Sequence, residues 1–378
     1  MRICLVYDLL YPQTVGGAER WYRNLALRLA ERGHEVTYLT MRHWNAGAEP
    51  DLGGVRVLAV APRMRMFAGG RRRILPPLTF GLGVLRHLIR HGRDYDIVHT
   101  ASFPFFSLLA AAAVRPLARY RVMVDWHELW TRDYWREYVG PVGGRVGWEV
   151  QRLCLRAPQR AFCFSRLVEG RLLAEGVRGE VTLLEGEFEG TPAAAPLPAE
   201  PFVVFAGRHI PEKNPAAVVH AVAKARESVP DLRAEIYGDG PERPKVLAAI
   251  AEQGLEGVVT APGFVDEDVL ESALGRALCL VLPSRREGYG LVVLEAISRG
   301  TPAIVVAGAD TAAAEFIEAG VNGFVVEDAA EAISDGITRV DRAGAAFRES
   351  TLNWFRGNVR RLSLESSLGL LEAAYRDA

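Results

Sequence analysis

The chain has 378 residues, 49% apolar and 24% charged, which is the balance of an ordinary globular protein and a length natural for two domains. Its formal net charge is only −1, and no nucleic-acid partner is expected. The charge is unevenly placed, with 27 basic and 19 acidic side chains over residues 1–195 against 18 and 27 in the remainder. A basic first half suits an anionic acceptor or a membrane surface. An arginine-rich composition, in which Lys213, Lys224 and Lys245 are the only lysines, accounts for it equally well. Cys4, Cys154, Cys163 and Cys279 lie in apolar contexts without C-x-x-C spacing, so they read as buried thiols of a reducing compartment, not as zinc ligands or a disulfide framework. The start, Arg2 and five apolar residues before Asp8, is no signal peptide. The longest apolar run, Phe103–Val114, contains Pro104 and is too short to span a bilayer. A cytoplasmic protein is expected, with any membrane contact peripheral.

The chain opens with a strand over Arg2–Tyr7, a loop over Leu9–Gly17, an amphipathic helix over Ala18–Arg32 ended by Gly33, and a strand over Val36–Thr40. Further short apolar strands are predicted at Val55–Val60, Ile97–His99, Val122–Val124, Ala161–Phe164 and Val181–Leu184, with helical patterns between them, as at Leu82–Arg90. Strands alternating with helices imply a parallel sheet covered on both faces. Residues 185–201, EGEFEGTPAAAPLPAEP, lose all periodicity and read as a linker. Alternation restarts at Phe202–Ala206 and continues at Ala234–Tyr237, Val258–Thr260, Leu280–Leu282, Ala303–Val306 and Gly323–Val326. Two Rossmann-like α/β halves, residues 1–190 and 200–351, would then face a cleft at their strand carboxyl edges. Residues 352–378 read as a terminal helical region with Trp354, Leu362, Leu368, Leu371 and Tyr375 available to pack.

The most specific stretch is SRREGYGLVVLEAISRGTP, residues 284–302. A strand ends at Pro283, Gly288 and Gly290 flank a turn, and a helix runs from Leu291 until Gly300 closes it. Glycines at such a junction admit close backbone approach, and a helix start favours a phosphate. Glu287 on the loop rim and Glu295 about one turn into the helix are acceptor-only groups suited to the hydroxyls of a sugar and a ribose. An E-x7-E pair alone would more simply be a loop residue and a helix-face charge. The whole string, however, resembles the EGFGLxxLEAxxxGxP signature of retaining GT-B glycosyltransferases of family 4. It departs from that pattern in Tyr289 for the usual Phe and in Ser298-Arg299 before the glycine.

Other segments carry weaker signals. FAGRHIPEKN, residues 205–214, sets Arg208 and Lys213 on a loop after a strand, with Asn214-Pro215 as cap and first residue of a helix. A guanidinium fork and an ammonium there can grip a diphosphate, and they match the family's GR-x-x-x-x-K pair. YGDGPE, residues 237–242, is a tight turn resembling the nucleotide-side GxGP turn, and Phe264-Val265 resembles the segment that reads the base. Gly16-Gly17 precedes the first helix as the family's glycine-rich loop does, without a dinucleotide G-x-G-x-x-G. His127 in MVDWHELW lies where relatives place a histidine facing the donor sugar, although Asp125-Trp126 and Glu128 are atypical neighbours. His99 reads as structural. Asp266–Asp268 is a literal D-x-D, read as helix-start acids rather than a metal site. RMRMFAGGRRR, residues 63–73, suits either a membrane-facing acceptor loop or a solvated loop before a core helix.

The resemblance implies two Rossmann-like parallel-sheet domains in GT-B architecture, with residues 352–378 crossing back to the first domain. It implies retaining hexosyl transfer from a nucleoside-diphosphate sugar, a UDP- or GDP-sugar, to an acceptor hydroxyl in glycan biosynthesis. No metal and no cofactor are expected. His127, Arg208, Lys213 and Glu287 would be catalytic. Gly16, Gly17, Gly207, Gly238, Phe264, Val265, Gly288, Tyr289, Gly290, Leu291, Val292 and Glu295 would bind substrate. Peripheral membrane contact would run through Arg63–Arg73. Two alternatives stay open: a sugar-nucleotide epimerase or pyridoxal-phosphate phosphorylase on the same architecture, and a catalytically silent sugar-nucleotide-binding protein.

Overall fold

The computed structural model describes residues 1–45, 47–68 and 71–377. The chain forms two compact units, residues 1–185 with 367–378, and residues 186–366. Each is a parallel sheet whose central strands are buried along nearly their whole length, because helices cover both faces, while the edge strands are partly exposed. This is why the strands read as continuous apolar runs such as ALCLVL and AIVV rather than as alternating patterns.

The sheet of unit 1 contains β1 (Arg2–Val6), β2 (Glu35–Met41), β3 (Arg56–Ala61), β4 (Ile97–Ala101), β5 (Arg121–Trp126), β6 (Arg160–Cys163) and β7 (Val181–Leu183). Their spatial order is β3-β2-β1-β4-β5-β6-β7. Register pairs Ile3 with Val36 on one side and with Ile97 on the other. Unit 2 repeats the plan with β8 (Glu200–Ala206), β9 (Arg233–Tyr237), β10 (Val259–Gly263), β11 (Ala277–Leu282), β12 (Ala303–Val306) and β13 (Gly323–Val326). The order there is β10-β9-β8-β11-β12-β13. In both units the chain first winds outward from a central strand, then returns to that strand's other side. The central pairs β1/β4 and β8/β11 are therefore topological switch points, where loops leave in opposite directions and open a crevice at the strand carboxyl ends.

The helices are α1 (Gly17–Glu31), α2 (Leu75–His91), α3 (Phe106–Ala118), α4 (Arg132–Arg156), α5 (Arg166–Ala174), α6 (Ala216–Ala225), α7 (Arg243–Glu252), α8 (Glu267–Arg276), α9 (Leu291–Ile297), α10 (Ala330–Leu362) and α11 (Leu364–Asp377). The α1 helix buries Trp21, Tyr22, Leu25, Ala26 and Leu29, a stripe at helical spacing. The α2 helix starts at Leu75, well before the predicted Leu82, because Pro76 and Pro77 fall in a first turn that needs no amide donors. The terminal helical region is broken at Ser363, whose extended ψ of 143° separates α10 from α11. All four cysteines are buried free thiols.

Unit 1 is organised around a buried polar cluster. Asp125, at the end of β5, accepts from Trp21 Nε1 at 2.8 Å, and its other oxygen lies 2.8 Å from His99 Nε2 at the middle of β4. The Tyr375 hydroxyl closes the chain 2.5 Å from His99 Nδ1. Glu372 pairs with Arg32 at 2.8 Å and His34 at 3.1 Å, so α11 is held by polar contacts as well as by Leu368 and Leu371. Burial alone would push the Asp125 carboxyl up. The His99 imidazole and its hydrogen bond, with His127 and Trp21, outweigh burial and hold it below the ordinary carboxylate value.

The depressed value means that the folded state binds fewer protons at Asp125. Its contribution is present above the ordinary carboxyl pKa of about 4 and is lost as pH falls through the lower folded value. Asp125→Ala strands His99 and Trp21 in the interior. Urea unfolding should show a loss of about 3–5 kcal/mol at neutral pH and a flatter acid limb. A variant as stable as the parent would remove this cluster from the account.

Candidate functional site

In unit 2 the switch point is flanked by the loop after β8 and the loop after β11. The first runs Gly207-Arg208-His209-Ile210 into a short 3-10 turn over Pro211–Lys213. The second runs Pro283 to Gly290 into α9 and carries a two-residue strand, Arg286–Glu287, paired in parallel with Asp310–Thr311. Arg285 N donates to Glu212 O at 2.9 Å, which fixes the two loops together. Lys213 Nζ and Glu287 Oε2 form an ion pair across the switch, and Ser284 Oγ lies 3.4 Å from the same carboxylate oxygen. The two side chains are only 17% and 13% exposed, so the pair is largely withdrawn from water. Two of the residues chosen from sequence are thus brought into contact. Arg208 lies on the same loop as Lys213 and is exposed.

Backbone geometry holds Arg208 in place. Gly207 N donates to Tyr237 O and His209 N to Asp239 O, which ties this loop to the turn after β9. Gly238 has φ of +113°, and a Cβ there would stand 1.9 Å from Gly207 O. The sequence reading of a tight turn is correct, and the glycine is also required by the neighbouring loop. His209 is wholly buried, with neither ring nitrogen in a hydrogen bond. Burial pushes its pKa down; the nearby Tyr237 backbone opposes this without meeting hydrogen-bond geometry. This neutral residue carries no sequence signal beyond its position between Arg208 and Lys213.

Asn214 is not the cap of the following helix. It takes a left-handed conformation, φ 47° and ψ 48°, at the end of the 3-10 turn, and Pro215 occupies the cap position of α6. Asparagine tolerates that conformation better than most residues, so the local choice is still chemical. The Asn214 side chain reaches Asp328 at 3.3 Å.

Around α9, Gly290 has φ of +97° and a Cβ there would lie 2.6 Å from Ala313 Cβ. Tyr289, the departure from the signature's Phe, uses its hydroxyl to accept from Glu187 N at 3.0 Å and packs edge-on to Phe316. Gly288, Leu291 and Val292 are half-buried at the start of α9, and Glu295 is half-buried one turn in. Gly300, with φ of +76°, closes the segment as expected. Phe264 is exposed and Val265 half-exposed just beyond β10. Asp266 caps α8 through its backbone carbonyl, which accepts from Val269 and Leu270, and not through its side chain. Among the described residues no group of three or more His, Cys, Asp or Glu is clustered to hold a metal ion.

In unit 1 the switch point is flanked by the loops after β1 and β4. Gly16 is extended, and a Cβ there would collide with the Glu19 carboxylate at 2.5 Å, whereas Gly17 opens α1 with free space around it. His127 follows β5, stacks on Phe164 at 4.5 Å and meets Tyr22 edge-on at 6.2 Å. Its Nε2 is buried without a hydrogen-bond partner, and burial keeps its pKa below the ordinary histidine value against the pull of Asp125 and Glu128. Asp125, which made the surroundings of His127 look atypical, is the partner of His99. The loop over residues 63–73 is less open than its sequence implies. Met66 is buried, and Arg72 turns inward to the buried Asp8 and over the Phe103 ring at 4.8 Å. Arg63 and Arg65 are exposed, and Gly69 and Gly70 lie outside the described residues. The Asp8–Arg72 pair was not legible, since nothing in the sequence sets the two side by side.

Known families match both units. The model for glycosyl transferases group 1 matches residues 192–344, and that for glycosyltransferase family 4 matches residues 15–185. The chain belongs to the group 1, family 4 glycosyltransferases, enzymes of the transferase type. It is 34% identical over 130 residues to the alpha-D-kanosaminyltransferase of Streptomyces kanamyceticus, a match spanning 34% of this chain and 33% of that relative's length. It is 26% identical over 327 residues to a glycogen synthase of Mycobacterium tuberculosis, covering 80% and 77% of the two chains. Its fold is similar to that of sucrose-phosphate synthase from Thermosynechococcus elongatus, with a TM-score of 0.81, 20% identity and 99% and 98% coverage. An Anabaena protein solved in complex with UDP and glucose has a TM-score of 0.74 at 17% identity, with both chains covered in full. These neighbours identify the fold as GT-B.

Gly238→Ala tests the coupling of the two turns. A side chain at this φ, pressed on Gly207 O, should lower the unfolding free energy by about 1–3 kcal/mol. Chemical denaturation measures it, and an unchanged midpoint would show that the Arg208 loop does not depend on this turn.

Proposed function

We propose that the enzyme transfers a hexosyl group from a nucleoside-diphosphate sugar, with UDP or GDP as the leaving group, to an acceptor hydroxyl in glycan biosynthesis. The transfer retains anomeric configuration and uses neither metal nor cofactor. The observation that carries this reading is the Lys213–Glu287 contact at the switch point of unit 2, with Arg208 exposed on the same loop. A cation held at the carboxyl edge of a parallel sheet by a carboxylate is ready to turn to a diphosphate, and the carboxylate is then available to sugar hydroxyls. The Anabaena neighbour's UDP and glucose support the same donor class.

The chemistry follows from where charge grows. As the sugar–phosphate bond breaks, negative charge accumulates on the departing diphosphate. Arg208 and Lys213 stabilise it more strongly then than in the bound donor, so their effect falls on turnover. No carboxylate is assigned as a covalent nucleophile; the departing phosphate accepts the acceptor's proton. Glu287 orients the sugar hydroxyls and Glu295 the ribose. The Gly207, Gly238, Phe264, Val265 and Gly288–Val292 backbone forms the nucleotide's surroundings. From unit 1, His127 and the Gly16-Gly17 turn contribute to the reaction and to acceptor binding. A cytoplasmic location with peripheral membrane contact belongs to the same proposal. Among the described residues no helix is long and apolar enough to cross a membrane.

Arg208→Ala and Lys213→Ala should each lower kcat by roughly 10²–10³-fold with a much smaller change in donor KM, and turnover by the parent should persist in EDTA. Steady-state kinetics with UDP- and GDP-sugars decide. Full activity in both variants would place the leaving-group site elsewhere, and loss in EDTA restored by magnesium or manganese would overturn metal independence.

A further inference from the structure

The α2 helix is amphipathic in an unusual sense: it has two apolar faces. Its inner face is locked, with Pro76, Pro77, Phe80, Val84 and Leu88 buried. Gly81 and Gly83 let it approach so closely that a Cβ would lie 2.5 Å from Phe106 Cβ and 2.1 Å from Val60 O. The outer face carries Leu75, Leu78, Leu82 and Ile89, with Ile74 just before the helix. Ile74 is 68% exposed, Leu75 55%, Leu82 67% and Ile89 64%. At about 100° per residue these five side chains fall within an arc of about 100°, a continuous stripe along a helix about 25 Å long. Arg86 and Arg90 are exposed along one margin and Arg73 at its start. At the other end the patch passes to α3: Arg93 Nε reaches Leu117 O at 3.4 Å, and Leu117 is 70% exposed between exposed Arg115 and Arg119.

Core packing does not require this stripe, since the opposite face of the same helix supplies the core. Its charge setting is one-sided. Arg73, Arg86, Arg90 and Arg93 are exposed around it, and the acid of the adjoining turn, Asp94, lies 3.4 Å from His91. A second copy docked about a twofold axis would set this cationic strip against itself, which repels. An anionic bilayer meets both features at once, leucine and isoleucine entering the headgroup boundary while the arginines stay at phosphate level.

We propose that the outer face of α2, continued by the carboxyl end of α3, is a membrane-docking surface for anionic lipid. It assigns the peripheral contact proposed above to a helix face instead of the 63–73 loop, and it stands without any assumption about glycosyl transfer. The helix lies in the plane of the interface and spans nothing. Binding combines apolar insertion with electrostatic attraction, so neither alone suffices.

Flotation of the full chain with phosphatidylcholine vesicles, with and without about one third phosphatidylglycerol, tests it in the absence of donor and acceptor. The chain should bind the anionic vesicles, bind neutral ones weakly, and lose binding as salt rises to about 0.5 M. Leu82→Glu with Ile89→Glu, both at solvent-exposed positions, should reduce partitioning about 10-fold or more, with circular dichroism unchanged. Arg86→Gln with Arg90→Gln should reduce binding to the anionic vesicles by a similar factor. The proposal is overturned if the parent chain binds neither vesicle, if the double glutamate variant binds like the parent, or if sedimentation shows a dimer that this variant dissociates. Because no sugar nucleotide is present, failure here leaves the transferase reading intact, and failure of that reading leaves this one intact.

Discussion

The constraint on which the rest depends is the reversal of strand order at the centre of each sheet. Winding outward from β8 and returning to its other side forces two loops to leave the sheet in opposite directions at neighbouring strand ends. In unit 2 those loops are joined by Lys213 and Glu287, both largely shielded from water. Partial burial makes the pair informative. An exposed ion pair contributes little, but a shielded one leaves an uncompensated charge when either partner is removed, so each member fixes the position of the other. In the proposed transfer this ammonium would serve the diphosphate and this carboxylate the sugar hydroxyls.

Unit 1 has the same topology with a different filling. At its switch point the polar groups are turned inward. Asp125 serves His99 and Trp21, Asp8 serves Arg72, and Tyr375 completes the His99 environment. These are stabilising arrangements, and they leave His127 as a neutral ring stacked on Phe164 with one nitrogen unpaired. One strand plan thus supports a partly exposed ion pair on loops in one unit and a largely buried polar cluster, Asp8–Arg72 included, in the other. Activity has to be read from particular side chains for this reason, because the fold permits both.

Much of this was legible in the sequence. Strands buried on both faces announce themselves as short apolar runs, so Ile97–His99, Leu280–Leu282 and Ala303–Val306 fall inside or upon the observed strands. Gly238, Gly290 and Gly300 all take positive φ, a local demand that a sequence pattern records, although close approach by distant segments also requires them. What could not be read depends on pairing across long separations. Asp125 looked like an irregularity beside His127 because its partner His99 is on another strand. Arg72 looked like a solvated cation because its partner Asp8 is 64 residues away. Ser363 breaks the terminal helical region although its neighbours are good helix formers, since Phe188 N and Leu362 O, and Leu364 N and Phe188 O, bond across the break. Tertiary hydrogen bonds outweigh propensity there.

The central claim is that the Lys213–Glu287 pair marks the donor's diphosphate position and that Glu287 serves the sugar, not the phosphate. Calorimetric titration of UDP and GDP into the parent chain and Glu287→Gln tests it most directly. Removing the carboxylate frees Lys213 for the phosphates, so the account predicts that at least one nucleoside diphosphate binds the parent and binds the variant as tightly or more tightly. Silence of both titrations in the parent, or a variant that binds about tenfold more weakly while still folded, would contradict it.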